Sequence, residues 1–135
     1  MKIASTLSRF LLGLIFVTFG LNGFLHFISM PPPTGLAGQY FTVLFLSHYL
    51  VAVFAIQLAG GVLLFVPRAI PIALVLLGPV IVNILLFHFL MAPSGLLLAL
   101  VTTALWFVVF WQFRRAFAGL WTFAASVNSR PEVST

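Results

Sequence analysis

Cysteine is absent from this sequence, and carboxylates nearly so: Glu132 is the single acid among 135 residues. The first absence excludes disulfides, thiol chemistry, iron–sulfur ligation and lipid attachment through Cys. The second removes the groups that proton relays and carboxylate metal sites in membranes usually use, because Glu132 stands in the polar C-terminal stretch. Charge of either sign is scarce, at 5% of residues against about 25% in an ordinary soluble domain. The remainder is apolar, with 63% hydrophobic residues, sixteen Phe and a mean hydropathy of +1.27. Six cations and one acid cannot give a chain of this length a water-compatible surface. The sequence therefore reads as an all-α, polytopic membrane protein whose length allows one domain. It has no phosphate-cradling glycine loop, nucleophile–base–acid set or zinc-ligand spacing.

A helix needs about 20 apolar residues to cross a hydrocarbon core about 30 Å thick. Four segments satisfy this, at residues 7–28, 46–66, 69–89 and 95–113. Pro31, Pro32 and Pro33 close the first and Pro67 the second. Pro71 suits the first turn of the third, where a missing N–H does no harm, and Ser94 is the expected N-cap of the fourth. Pro79 is expected to bend the third span. The stretch "GLAGQYFTVLF" at 35–45 is too short to span, and either lies along the outer interface or extends the second helix outward. "AFAGLWTFAAS" at 116–126 reads as an interfacial helix, so residues 1–126 form one four-helix membrane domain and 127–135 a flexible cytoplasmic tail.

The cations orient this bundle. Lys2 and Arg9 precede the first span, Arg68 separates the second and third, and Arg114, Arg115 and Arg130 follow the fourth, while 29–45 and 90–95 hold no Lys or Arg. One-sided placement puts both termini in the cytoplasm by the positive-inside rule, with Trp111 and Trp121 in the aromatic belt of that face. The sequence pI of about 11.5 arises from these helix-end cations, and without a basic stripe or stacking platform it does not indicate nucleic acid. Lys2 before an apolar run superficially resembles a secretory signal, but Arg9 intrudes and no small-x-small site directly follows, so the first helix is read as uncleaved.

The polar residues inside the spans fall into two layers. At 1.5 Å per residue, Asn22 and Asn83 lie about 21–22 Å from the cytoplasmic starts of their helices, and His26 and His88 about 28 Å. Gln57 is near the midplane of the second span and His48 near its outer mouth. "NGFLHFISMPPPTGL" and "NILLFHFLMAPSGL" each run Asn, His-Phe, Met, Pro, Gly-Leu, either as a degenerate repeat of one helical hairpin or as a chance likeness of two apolar helix ends. Asn22 and His26, four apart, share a helix face; Asn83 and His88, five apart, differ by about 140°. Structurally, the three amides are expected to face the bundle interior and bond a neighbouring helix. Gln57 shares its face with Gly60 and Gly61, which marks a close helix contact with one interhelical hydrogen bond, and Gly13, Gly20 and Gly23 mark close approach to the first helix. Chemically, Asn22, His26 and His88, with Asn83 and Gln57 below them, outline a ligand pocket at the outer end. Imidazoles there could hydrogen-bond a quinone beside Phe walls, or carry protons. Haem iron or another metal is the weaker alternative, because no carboxylate is available to orient the imidazoles.

"RFLLGLIFVTFGLNGFLHF" from Arg9, "QLAGGVLLF" from Gln57 and "PIALVLLGPVIVNILLFHFLMAPSG" from Pro71 closely resemble the DoxX family of small bacterial four-helix membrane proteins, over about residues 9–115. The resemblance rests on the Arg-Leu-Leu-Gly opening, the Gly-Gly pair and the Asn…His-Phe ending together. It departs at Gln57, where the family often has Glu, and this weakens a proton-coupled role. The resemblance implies a multi-pass protein of the bacterial cytoplasmic (inner) membrane, with some relatives tied to quinone-linked sulfur oxidation or membrane-anchored redox complexes. Three functions remain in play: an accessory, non-catalytic module of a quinone-linked or other redox complex with a partner subunit; a structural or assembly protein, monomeric or oligomeric; and a carrier for a small apolar molecule. Family likeness does not select among them.

Overall fold

The computed structural model describes residues 2–120 and 122. Trp121, Arg130, Glu132 and the expected tail at 127–135 lie outside the described residues. Those described are helical apart from turns and an extended stretch at 26–34, with five α-helices: α1 (Lys2–Leu25), α2 (Gly35–Leu46), α3 (Tyr49–Leu63), α4 (Ile70–Leu90) and α5 (Leu96–Phe113). α1, α4 and α5 with their flanking turns are long and apolar enough to cross a membrane, and α2 with α3 supplies a fourth crossing if that bent pair is one span. The chain thus has the helices of a multi-pass membrane bundle. α1 packs against α3 and α5, and α4 closes the ring against the same two helices. α1 and α4 are diagonal.

Small residues set the α1–α3 distance. A Cβ on Gly20 would stand 2.9 Å from the Leu58 backbone nitrogen, and one on Gly61 2.9 Å from that of Val17. These two backbones touch because neither helix carries a side chain there, the means by which apolar helices associate in lipid. The core lies around Leu12 and Phe16 of α1, Leu64, Ile70, Leu74, Leu77 and Ile81, and Val109 of α5. Trp106 of α5 packs against it and its indole Nε1–H donates to the Leu74 carbonyl at 3.2 Å, a hydrogen bond between α5 and α4. α4 runs through Pro79 as one helix, and Pro79 is on its outward side.

The second expected span differs most. In place of a single helix over 46–66, a 15-residue α3 is joined to α2 at 88°. The corner is Ser47–His48. His48 adopts a left-handed backbone (φ 59°), its N–H bonds the Phe45 carbonyl at 3.1 Å, and Ser47 Oγ donates to the Leu44 carbonyl at 3.2 Å. A straight continuation would carry residues 35–46 well beyond the bilayer core; folding them over keeps their apolar side chains near it. α2 is therefore the crosswise segment, not an extension of α3. One smaller correction concerns a cap. Gly95, not Ser94, is the N-cap of α5, because residues Pro93–Gly95 form a 3-10 turn first. The stretch after Phe113 begins as a 3-10 turn, Arg114–Phe117, whose Phe117 ring packs on Phe110 at 5.4 Å.

The described cations gather at one end. The Phe10 and Phe65 rings are 5.6 Å apart, which places the α3–α4 turn and Arg68 beside the start of α1. Lys2 and Arg9 share a cleft with Gln112 and Phe113, next to Arg114 and Arg115. The three histidines occupy the other end, each at a helix terminus.

Candidate functional site at the histidine end

α1 stops earlier than its prolines require. Its last helical hydrogen bond runs from the His26 N–H to the Asn22 carbonyl at 2.9 Å, and His26 then turns left-handed (φ 53°). A left-handed residue just past a helix is a common stop, usually made by Gly or Asn. Here the stop is held by Asn22. Its side-chain Oδ1 accepts from the Ile28 N–H at 2.6 Å, and its Nδ2 donates to the Ile28 carbonyl at 3.4 Å. Asn22 is 5% exposed, so the expectation that it faces the interior is met. Its partner, however, is its own loop and not another helix. Pro31, Pro32 and Pro33 follow in the extended segment and do not end the helix.

His88 is half-buried near the end of α4, and its Nδ1 lies 2.9 Å from the Ala92 carbonyl. A carbonyl can only accept, so Nδ1 is the donor in this contact and Nε2 is the ring nitrogen left for another partner. The ring packs on Gly95, where any side chain would collide with Cε1 and Nδ1. Beside it, Phe87 meets the His88 ring edge-on at 5.1 Å, and the Tyr40 and Phe41 rings of α2 each lie 5.9 Å from Phe87. The crosswise α2 thus supplies an aromatic wall to the end of α4. Nothing in the linear pattern pointed to Tyr40 and Phe41, since only the right-angled corner brings them there.

His26 is exposed, and among the described residues it makes no hydrogen bond to His88 or Asn22 through its ring. His48 is exposed at the α2–α3 corner. Gln57 is 7% exposed beside buried Gly60 and Gly61, which agrees with its expected close contact, yet among the described residues its amide has no hydrogen-bond partner. Asn83 corrects the expectation of three inward amides. The buried stripe of α4 is Ile70, Ala73, Leu74, Leu77 and Ile81, and Asn83, two residues past Ile81, is about 200° around the helix and exposed. The proposed repeat also breaks here, with one Asn buried on a loop backbone and the other outward. The five-residue spacing to His88 is the physical reason, since the two cannot share a face.

Among the described residues, no three His, Cys, Asp or Glu side chains lie together as a metal-binding group. No family model matches this chain, and no curated protein or solved structure matches it.

Proposed function

We propose that this chain is an accessory membrane module, a non-catalytic subunit of a quinone-linked or other redox assembly of a bacterial cytoplasmic membrane, with both termini cytoplasmic. The observation that carries the ligand part of this reading is the His88 ring, held through Nδ1 and set edge-on to Phe87, which Tyr40 and Phe41 flank. With Nδ1 engaged by Ala92, an Nε2 that carries no proton accepts a hydrogen bond, which suits the hydroxyl of a reduced quinone better than the carbonyl of an oxidised one. The likeness to the DoxX family supports the setting, and one-sided cations support the orientation. The ligand site is narrower than the sequence suggests: His88 and the aromatic wall form it, Asn22 is committed to Ile28, and Asn83 is directed away.

The test is purification in native lipid followed by mass spectrometry of bound small molecules and subunits. A co-purifying quinol, lost from His88→Phe and kept by His26→Gly, is the expected result. A wild-type preparation free of quinone and of any partner subunit defeats the reading. A structural role is then the better one, and a specific feature favours it: Asn22 locks the end of α1 while Gly20 and Gly61 set its distance from α3.

A further inference from the structure

At the end opposite the histidines, a cleft of about 190 Å³ opens between α1 and α5. Lys2, Ser5, Thr6 and Arg9 line one side, and Gln112 and Phe113 the other. Arg9 is half-buried with its guanidinium 4.8 Å over the Phe10 ring, and its Nε is buried without a hydrogen-bond partner among the described residues. A buried donor left unpaired is costly, and more so on a charged group. Each polar lining side chain is a cation, a hydroxyl or an amide; none brings negative charge. Nor does the chain have enough of its own, because one carboxylate faces six Lys and Arg. A guanidinium, an ammonium, hydroxyls and an amide lining one small cleft are the donor types that bind an oxyanion.

We propose that this cleft binds a phosphate-class oxyanion, carried on an anionic phospholipid headgroup or free in solution. The proposal is independent of the histidine end. Arg9 supplies the fixed charge and the terminal N–H groups of its guanidinium, Lys2 a second charge at the mouth, and Ser5, Thr6 and Gln112 neutral hydrogen bonds. Phe113 gives the cleft an apolar edge on the α5 side, against which the start of an acyl chain could rest.

The test uses the full chain, stripped of lipid in mild detergent. Native mass spectrometry compares retention of phosphatidylglycerol with phosphatidylcholine of the same acyl chains, and thermal unfolding is followed against inorganic phosphate at constant ionic strength. Preferential retention of phosphatidylglycerol assigns the anion to lipid, and a rise in unfolding temperature with inorganic phosphate assigns it to a free oxyanion. In either case Arg9→Gln should weaken binding by about tenfold or more, with Arg9→Lys falling between. Should Arg9→Gln fail to fold, Lys2→Gln, at the exposed mouth, must reduce the same preference. No discrimination against phosphatidylcholine together with no response to phosphate overturns the proposal, as does an unchanged preference in a folded Arg9→Gln protein.

Discussion

A single side chain decides where α1 ends. Asn22 replaces the two solvent hydrogen bonds that the Ile28 peptide would otherwise need, and it does so from a buried position. Asn22→Leu should therefore lower stability by about 1–2 kcal/mol, read from unfolding in mild detergent. An unchanged midpoint would show that the loop is held elsewhere. His26 and His48 both sit in the left-handed region, where an L side chain is disfavoured and Gly is not. If the imidazole at 26 serves only as a helix stop, His26→Gly should leave stability unchanged or raise it by up to about 1 kcal/mol. Asn83→Leu, on the outward face of α4, should alter the stability of the isolated bundle by no more than about 0.5 kcal/mol. A larger loss would mean that its amide has a partner. Asn22 and Gln57 face inward as their positions suggest, and Asn83 does not. Depth follows from counting at 1.5 Å per residue, whereas direction needs the phase of the buried stripe. In α4 that phase is invisible because nearly every position is apolar.

Among the elements, the contact of α1 with α3 depends on two glycines facing backbone. Replacing Gly61 with Val should push the helices apart and cost about 1–3 kcal/mol, measured by the same unfolding assay. The glycine pair marks close contacts without naming the partner helix: Gly61 meets the α1 backbone, whereas Gly60 meets the Leu77 side chain of α4. The interior position of Gln57 was anticipated on the same grounds, although its hydrogen bond was not found. The right-angled α2–α3 corner was legible only as one of two options. Its cause is a local backbone choice at His48, a residue that carries no turn signal of the kind Gly or Pro would give. For the same reason the aromatic wall beside Phe87 could not be read from spacing. Residues 40 and 41 are far from 87 in the chain, and a straight helix would have carried them outward.

For the whole molecule, three long helices and a bent pair close into one ring, with the described cations at one end and the histidines at the other. Its orientation is directly measurable. The chain has no cysteine, so single Cys probes at positions 48 and 68 need no background removed first. A membrane-impermeant maleimide applied from outside should label position 48 and spare position 68. The opposite pattern would invert the molecule in the membrane. Three of the four expected spans were legible as single long helices, because about 20 apolar residues between breaks are hard to hide, and the fourth is the bent pair. The packing order around the ring was not, because four helices of similar hydrophobicity carry no label for their neighbours.

The shortness of α3 has its own consequence for the surrounding lipid. Fifteen residues rise about 22 Å, against about 36 Å for the 24 residues of α1. A bilayer touching α3 meets a hydrophobic belt thinner than its own core, with α2 turned across one leaflet above it. Lipid there must compress, while lipid on the far side need not. Thickness matching, at fractions of a kcal/mol per Å, then favours thin bilayers. The protein should be more stable in nanodiscs of short-chain lipids than in long-chain ones of the same headgroup, and should locally thin whatever membrane it occupies.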